Sequence, residues 1–450
     1  MEQAWLGGDT AQSGVLAEVD GERIVSLTTD VRPPDRATIL PGLTLPGLVN
    51  AHSHAFHRAL RSRVQTERGS FWTWRERMYA VAARLDPENY HRLARAVYAE
   101  MALAGITTVG EFHYVHHRPD GTPYAEPTAM AEALRDAARD AGIRLTVLDT
   151  CYLRGGFSSD GYRPLAPEQR RFGDGDAAGW AKRASRTHAR LSGGRVRVGA
   201  AIHSVRAVPP AAVGVVAAWA QGLGVPLHAH VSEQPAENID CLRVHGRTPT
   251  AVLAEHGALG PHMTAVHATH PAPEDVALLG AGGTTVCFCV TTERDLADGI
   301  GPAPELAAAG VALNLGSDSH AVIDMFEEAR GVELDERLRS RGRGAFTAAE
   351  LLHMATDAGA VSLGWPDAGA VRVGALADFT TVSLDTVRTA GSGDAAIEAA
   401  VFAATAADVA TVVVGGEVIV AEGRHRLVGD VGAELASAIA ELTEQRPVPA

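Results

Sequence analysis

Eight short β-rich runs, each followed by a longer stretch of Ala, Leu, Arg and Glu, recur in order through the middle of this 450-residue chain. The runs are residues 43–52, 106–114, 144–151, 196–203, 226–230, 263–267, 284–290 and 311–318. Helical stretches between them include 87–104, 128–141, 177–191 and 210–222, each ending near a glycine able to cap it. A β-then-α alternation builds a parallel sheet covered by helices. Eight such units predict an α/β fold, a closed (β/α)8 TIM-like barrel rather than an open sheet. An open doubly wound sheet would also carry a Gly-rich phosphate loop after its first strand, and residues 43–54 have none.

A bare barrel needs only about 250 residues. The surplus lies at the two ends. Residues 21–27 read as a turn and a strand, while 377–382, 411–414 and 417–421 read as strands, the last two joined by a Gly415-Gly416 hairpin turn. Neither end has strands enough for a core of its own. Together they predict a small β-sandwich formed from both chain ends, giving residues 1–42 as its first part, 43–369 as the barrel, and 370–450 as its second part with a surface helix at 433–442.

Charge and cysteine usage narrow the partners. A net charge of −14 argues against nucleic acid and anionic membrane surfaces, which need clustered Lys and Arg. It leaves room for a small anionic substrate held by a few arginines in one pocket. No run of about 20 apolar residues exists to span a bilayer, and the N-terminus lacks the basic-then-apolar order of a secretory signal. The expectation is a cytoplasmic protein with no membrane partner. Cys151, Cys241, Cys287 and Cys289 read as buried thiols.

The polar residues gather at the C-terminal ends of the predicted strands, the face on which barrels build active sites. His52 and His54 end the first strand; Glu111, His113 and Tyr114 the second; His203 and Arg206 follow the fourth. His228, His230 and Glu233 mark the fifth, His267 and His270 the sixth, and Asp318 the eighth. Imidazole and carboxylate are ligands for Zn²⁺ and similar borderline ions. His52 and His54, two apart on a strand, project to the same side. His230 and Asp318 would complete a set of three nitrogens and one oxygen, with a water at the remaining position. His228 shares a face with His230, so spacing leaves these two as alternatives. Glu233, just past its strand, suits a general acid/base; His267 suits a group facing the developing oxyanion; Asp318 can also accept a proton.

The run Pro46-Gly47-Leu48-Val49-Asn50-Ala51-His52-Ser53-His54 resembles the first-strand signature of the amidohydrolase superfamily. His230-Val231-Ser232-Glu233, Val266-His267-Ala268-Thr269-His270 and Gly316-Ser317-Asp318-Ser319-His320 resemble its deaminase branch, and the end segments match that branch's split β-sandwich. The resemblance implies His52, His54, His230 and Asp318 as metal ligands, so it selects His230 over His228, and Glu233, His267 and Asp318 as catalytic. Binuclear members bridge two metals with a carboxylated lysine at the end of strand four. The single lysine of this chain, Lys182, lies well before that strand. One divalent ion per subunit is therefore expected, Zn first, with Fe or Mn as alternatives.

Within that branch the similarity is to the formimidoylglutamate deiminases, carried by residues 54–60, 71–75, 111–117 and 203–206. It implies hydrolysis of N-formimidoyl-L-glutamate to N-formyl-L-glutamate and ammonia, in histidine degradation. Two arginines fit a substrate with two carboxylates, since a guanidinium grips a carboxylate with paired hydrogen bonds. Arg206 follows strand four, and Arg75 lies in the long first βα connection. Tyr114, His203 and His57 are the further substrate contacts implied, His57 standing where glutamine is expected. The alternatives are a deaminase of a heterocycle such as guanine, cytosine or an adenosine derivative, and, more remotely, a non-catalytic barrel scaffold. A homodimer is the expectation for assembly, since C2 pairs are the commonest.

Overall fold

The computed structural model describes residues 1–65, 71–159 and 161–443; of Phe71 and Trp72, in the first βα connection, the side chains lie outside the described residues. Its eight-stranded sheet contains β1 (Leu48–Ser53), β2 (Ile106–His113), β3 (Arg144–Cys151), β4 (Val196–Ile202), β5 (Leu227–Val231), β6 (Met263–His267), β7 (Thr285–Phe288) and β8 (Ala312–Leu315). Each strand pairs in parallel with the next in sequence. A parallel bridge between Ser53 and Asp318 joins the two outer strands and closes the barrel. Each of the eight predicted runs contributes one strand to this barrel. The strands are buried along nearly their whole length, as expected of a sheet covered on one face by helices and filled on the other by its own side chains.

The run read as one strand at 43–52 divides at Gly47. Leu43–Pro46 pairs with Gln3–Trp5 and with Phe379–Val382, so it belongs to a second sheet, and only Leu48–Ser53 enters the barrel. A Cβ at Gly47 would lie 2.2 Å from Thr107 Oγ1, so the crossover from one sheet to the other requires glycine. That second sheet has seven strands drawn from both chain ends, and the hairpin Leu16–Asp20/Arg23–Thr28 packs beside it. Ile24, Val371, Phe379 and Val413 form the small core there. The predicted Gly415-Gly416 turn is present, with φ of 58° and 79° linking Val409–Val414 to Glu417–Ala421.

The four helical stretches read from the sequence, 87–104, 128–141, 177–191 and 210–222, are all helices, and 71–82 and 235–245 join them. Helices α1 (Phe71–Ala82), α2 (Pro87–Leu103), α3 (Ala129–Ala141), α4 (Ala177–Leu191), α5 (Pro210–Leu223) and α6 (Pro235–His245) follow the first five strands. Asp86 accepts from the Glu88 and Asn89 amides and starts α2; α3 and α5 stop at Gly142 and Gly224. The surface helix predicted at 433–442 is Val431–Thr443. All four cysteines are free and buried. Among the described residues no helix is long and apolar enough to cross a membrane.

Candidate active site

Barrel closure decides what meets what. Ser317 N and Asp318 N both donate to His52 O, and His54 N donates to Asp318 O, so the end of β1 is stitched to the turn after β8. A Cβ on Gly316 would sit 2.7 Å from the His52 Cβ, which is why that turn can approach so closely. Asp318 pays with a φ of 40°, a left-handed conformation that a non-glycine residue holds only when its surroundings fix it.

Ligand-capable atoms of His52, His54, His230 and Asp318 lie within 4.8 Å of one another, and all four side chains are buried. Asp318 Oδ1 is 3.3 Å from both His52 Nε2 and His54 Nε2, and His52 Nε2 is 3.2 Å from His230 Nε2. The tautomers follow from the outer contacts. His54 Nδ1 lies 3.0 Å from Phe112 O and His230 Nδ1 lies 2.9 Å from His203 O. A carbonyl only accepts, so each Nδ1 carries the proton and each Nε2 turns a lone pair inward. Burial holds the His52 imidazole down to about 3 and that of His230 well below its ordinary range. Burial pushes the Asp318 carboxyl up, but hydrogen bonds and charge from His52 and His54 outweigh this and hold it well below. Neutral imidazole lone pairs and an ionised carboxylate converging in a dry pocket call for a cation, and this donor set fits a divalent metal.

His228, the alternative from spacing, is not in this group. It lies deeper, with Nε2 3.1 Å from Ser362 O. Lys182 is exposed on α4 and takes no part.

Beside the group opens a cavity of about 380 Å³, whose lining includes every other predicted site residue: His57, Arg75, Tyr114, His203, Arg206, Glu233 and His267. His57 sits in the 3-10 turn after β1, with Nε2 3.0 Å from Tyr114 Oη. Arg75 reaches in from α1 and donates to Tyr79 Oη at 2.6 Å. Arg206 lies between two acids, 3.5 Å from Glu233 Oε2 and 3.4 Å from Glu237 Oε1. His267 Nε2 is 4.0 Å from both Glu233 Oε1 and Asp318 Oδ2, while its Nδ1 is 3.2 Å from Glu293 Oε1. Burial lowers His267, but the Glu233 charge and the Glu293 hydrogen bond outweigh it and raise the imidazolium to about 10.

Three buried acids of the surroundings were not singled out as site residues by the sequence: Glu237, Glu293 and Asp298. Glu237 is one helical turn past Glu233 and accepts its backbone N–H at 3.2 Å; that four-residue spacing was a readable signal. Glu293 and Asp298 come from the connection after β7, where no spacing betrays them. Burial raises Asp298 to about 8, reinforced by the Glu233 charge. His113, His116 and His117 are buried away from the cavity, His116 Nε2 near Thr150 O and His117 Nε2 near Asp174 Oδ1, each at 2.9 Å.

The model of the amidohydrolase family matches residues 43–419. A formimidoylglutamate deiminase of Pseudomonas aeruginosa is 38% identical over 93% of this chain and 91% of its own length. An 8-oxoguanine deaminase of the same species is 32% identical over 85% of this chain and 83% of its own length. Among solved structures, an amidohydrolase from Brucella melitensis superposes with a TM-score of 0.91 at 33% identity, covering 98% of this chain and 99% of that one. An atrazine chlorohydrolase from Arthrobacter aurescens, complexed with zinc, gives 0.85 at 25% identity over 98% of each chain. The chain belongs to the amidohydrolase family and is a hydrolase acting on a C–N bond.

Proposed function

We propose that this enzyme hydrolyses N-formimidoyl-L-glutamate to N-formyl-L-glutamate and ammonia, a step of histidine degradation. One divalent ion, zinc first, is held by His52, His54, His230 and Asp318. The observation that carries this reading is the pair of arginines, Arg75 and Arg206, lining the cavity that adjoins those four residues. A cavity of about 380 Å³ suits a small acyclic dicarboxylate. The 38% identity to a formimidoylglutamate deiminase supports it, and the zinc in a related structure supports the choice of ion.

When bound, the ion would supply Lewis acidity that makes water a competent nucleophile near neutral pH. The protein's own residues do the rest. Arg75 and Arg206 grip the two carboxylates and set the formimino carbon against the ligand cluster. Glu233 takes a proton from the attacking water, with Asp318 as the second acceptor, and returns it to the departing nitrogen. His267, 3.2 Å through Nδ1 from Glu293 and beside Glu233, stabilises the charge developing on the heteroatoms of the tetrahedral adduct. His57, Tyr114 and His203 bound the site and orient the substrate. Water adds, ammonia leaves, and the formyl C=O replaces C=NH.

A deaminase of a heterocycle would share the polar cluster but has no use for two carboxylate-binding arginines. The test is incubation of metal-analysed enzyme with N-formimidoyl-L-glutamate. Ammonia and N-formyl-L-glutamate are expected in equal amounts. Formation of free glutamate, or no turnover with the metal present, would refute the reading.

A further inference from the structure

Beneath the ligand cluster runs a chain of buried polar groups that the proposed reaction does not use. Asn50 Nδ2 donates to Ser317 Oγ at 2.7 Å, and Asn50 Oδ1 accepts from Ser317 N at 2.9 Å. Ser317 Oγ is 2.9 Å from His320 Nδ1. His320 Nε2 is 3.2 Å from Ser53 Oγ, and Ser53 Oγ donates to Glu111 Oε2 at 2.8 Å. The other oxygen of Glu111 accepts the Ala55 N–H at 2.7 Å. Asn50, Ser53, Glu111, Ser317 and His320 are all buried, so none of these bonds is readily exchanged for water.

Donor counting gives the chain a direction. An ionised carboxylate only accepts, so Ser53 must spend its hydroxyl proton on Glu111. His320 must then offer Nε2–H to Ser53, which leaves Nδ1 to accept from the Ser317 hydroxyl, itself filled by Asn50. Every buried group in the run is satisfied in this one arrangement. Its ends are significant: Ser53 and Ala55 flank His54, while Ser317 and His320 bracket Asp318, and both Asp318 and His320 hold left-handed φ of 40° and 58°.

We propose that Glu111 is a positioning residue for the metal site, anchoring through Ser53 and His320 the His52–His54 strand end to the strained Asp318 turn, and thereby setting how long the ion is retained. This rests on the reading that His52, His54, His230 and Asp318 hold a metal. Groups that orient ligands in this way typically change metal affinity roughly 10–100-fold when removed. Glutamine at 111 would turn an N–H toward Ser53. The chain would have to reverse, and the Ser317 hydroxyl hydrogen would be left without an acceptor.

The test is release of Zn²⁺ from the loaded full-length protein to a chromogenic chelator, in the wild type, Ser53→Ala, Glu111→Gln and His228→Gln. The last is a buried barrel control outside this chain. Release from Ser53→Ala and Glu111→Gln is expected to be roughly 10–100-fold faster, with His228→Gln unchanged. Wild-type rates in both variants, or acceleration by His228→Gln matching theirs, would overturn the proposal. A second readout needs no metal: ¹⁵N NMR at pH 8, above the value of about 7 to which burial raises Glu111, compared with His320→Gln for assignment. It should find the proton of His320 on Nε2 in the wild type and on Nδ1 in Glu111→Gln. A wild-type proton on Nδ1 would contradict the arrangement. Failure of the wild type to bind any metal would instead sink the functional reading and leave this NMR result standing.

Discussion

Arg206 Nη2 and Glu233 Oε2 face one another at 3.5 Å in the wall of the active-site cavity, with Glu237 Oε1 3.4 Å from Nε of the same guanidinium. An incoming substrate carboxylate must therefore share an arginine that already serves two acids. Arg206→Ala is expected to cost about 3 kcal/mol in transition-state stabilisation, roughly 100-fold in kcat/KM for N-formimidoyl-L-glutamate. Arg206→Lys should lose nearly as much, because one ammonium cannot reproduce the planar fork. Steady-state kinetics of the two variants checks this, and unchanged kcat/KM in both would remove the physical basis of the dicarboxylate assignment.

Glu233 reaches the cavity beside His267 yet does not belong to the four-residue ligand cluster. Its replacement by glutamine should lower kcat by roughly 10²–10⁴-fold, the usual worth of a general acid/base. Metal content by elemental analysis should stay at the wild-type level. Loss of bound metal in Glu233→Gln would instead place Glu233 among the ligands.

Chelation should abolish activity, and Zn²⁺ should restore it at one ion per chain, since Lys182 is exposed on α4 and remote from the cluster. The folded state should also gain from the ion: about 4 kcal/mol when free metal is a thousandfold above Kd. Thermal unfolding with and without Zn²⁺ measures that gain. A stoichiometry of two with full activity would contradict a mononuclear site.

Away from the site, Asp408 accepts from Arg388 Nε at 2.7 Å and Nη2 at 2.8 Å and caps the turn that begins at Thr405. Burial raises its carboxyl, but hydrogen bonds from Arg388, Thr386 and the Thr405 amide outweigh that and bring it down to about 2. The folded value lies below the ordinary value of about 3.9. Its stabilisation is therefore complete above that ordinary value and is lost as pH falls toward about 2. The gap in melting temperature between wild type and Asp408→Asn should be constant above about pH 5 and narrow in acid. A gap independent of pH down to about 2 would refute this.

Much of this molecule was legible in its sequence because strand ends in a barrel converge whatever lies between them. The His52–His54 pair, His230 and Asp318 are far apart in the chain, and parallel closure brings them together. The division at Gly47 was not legible, since Leu43–Pro46 and Leu48–Ser53 read as one continuous run, both are fully buried, and only pairing partners tell them apart. Spacing could not separate His228 from His230 either. Both project from one face of β5, and depth in the barrel decides which meets the ligand cluster. Glu293 and Asp298 escaped notice because they come from the connection beyond β7, where position depends on how that loop folds back over His267.

The most direct test of the account compares kcat/KM of the zinc-loaded enzyme for N-formimidoyl-L-glutamate, guanine, cytosine and S-adenosylhomocysteine, read as ammonia release. The arginine-lined cavity predicts that the acyclic dicarboxylate is favoured by at least roughly 10³-fold, the worth of two charged contacts at about 2 kcal/mol each. Equal or faster release of ammonia from any of the three heterocycles would contradict it.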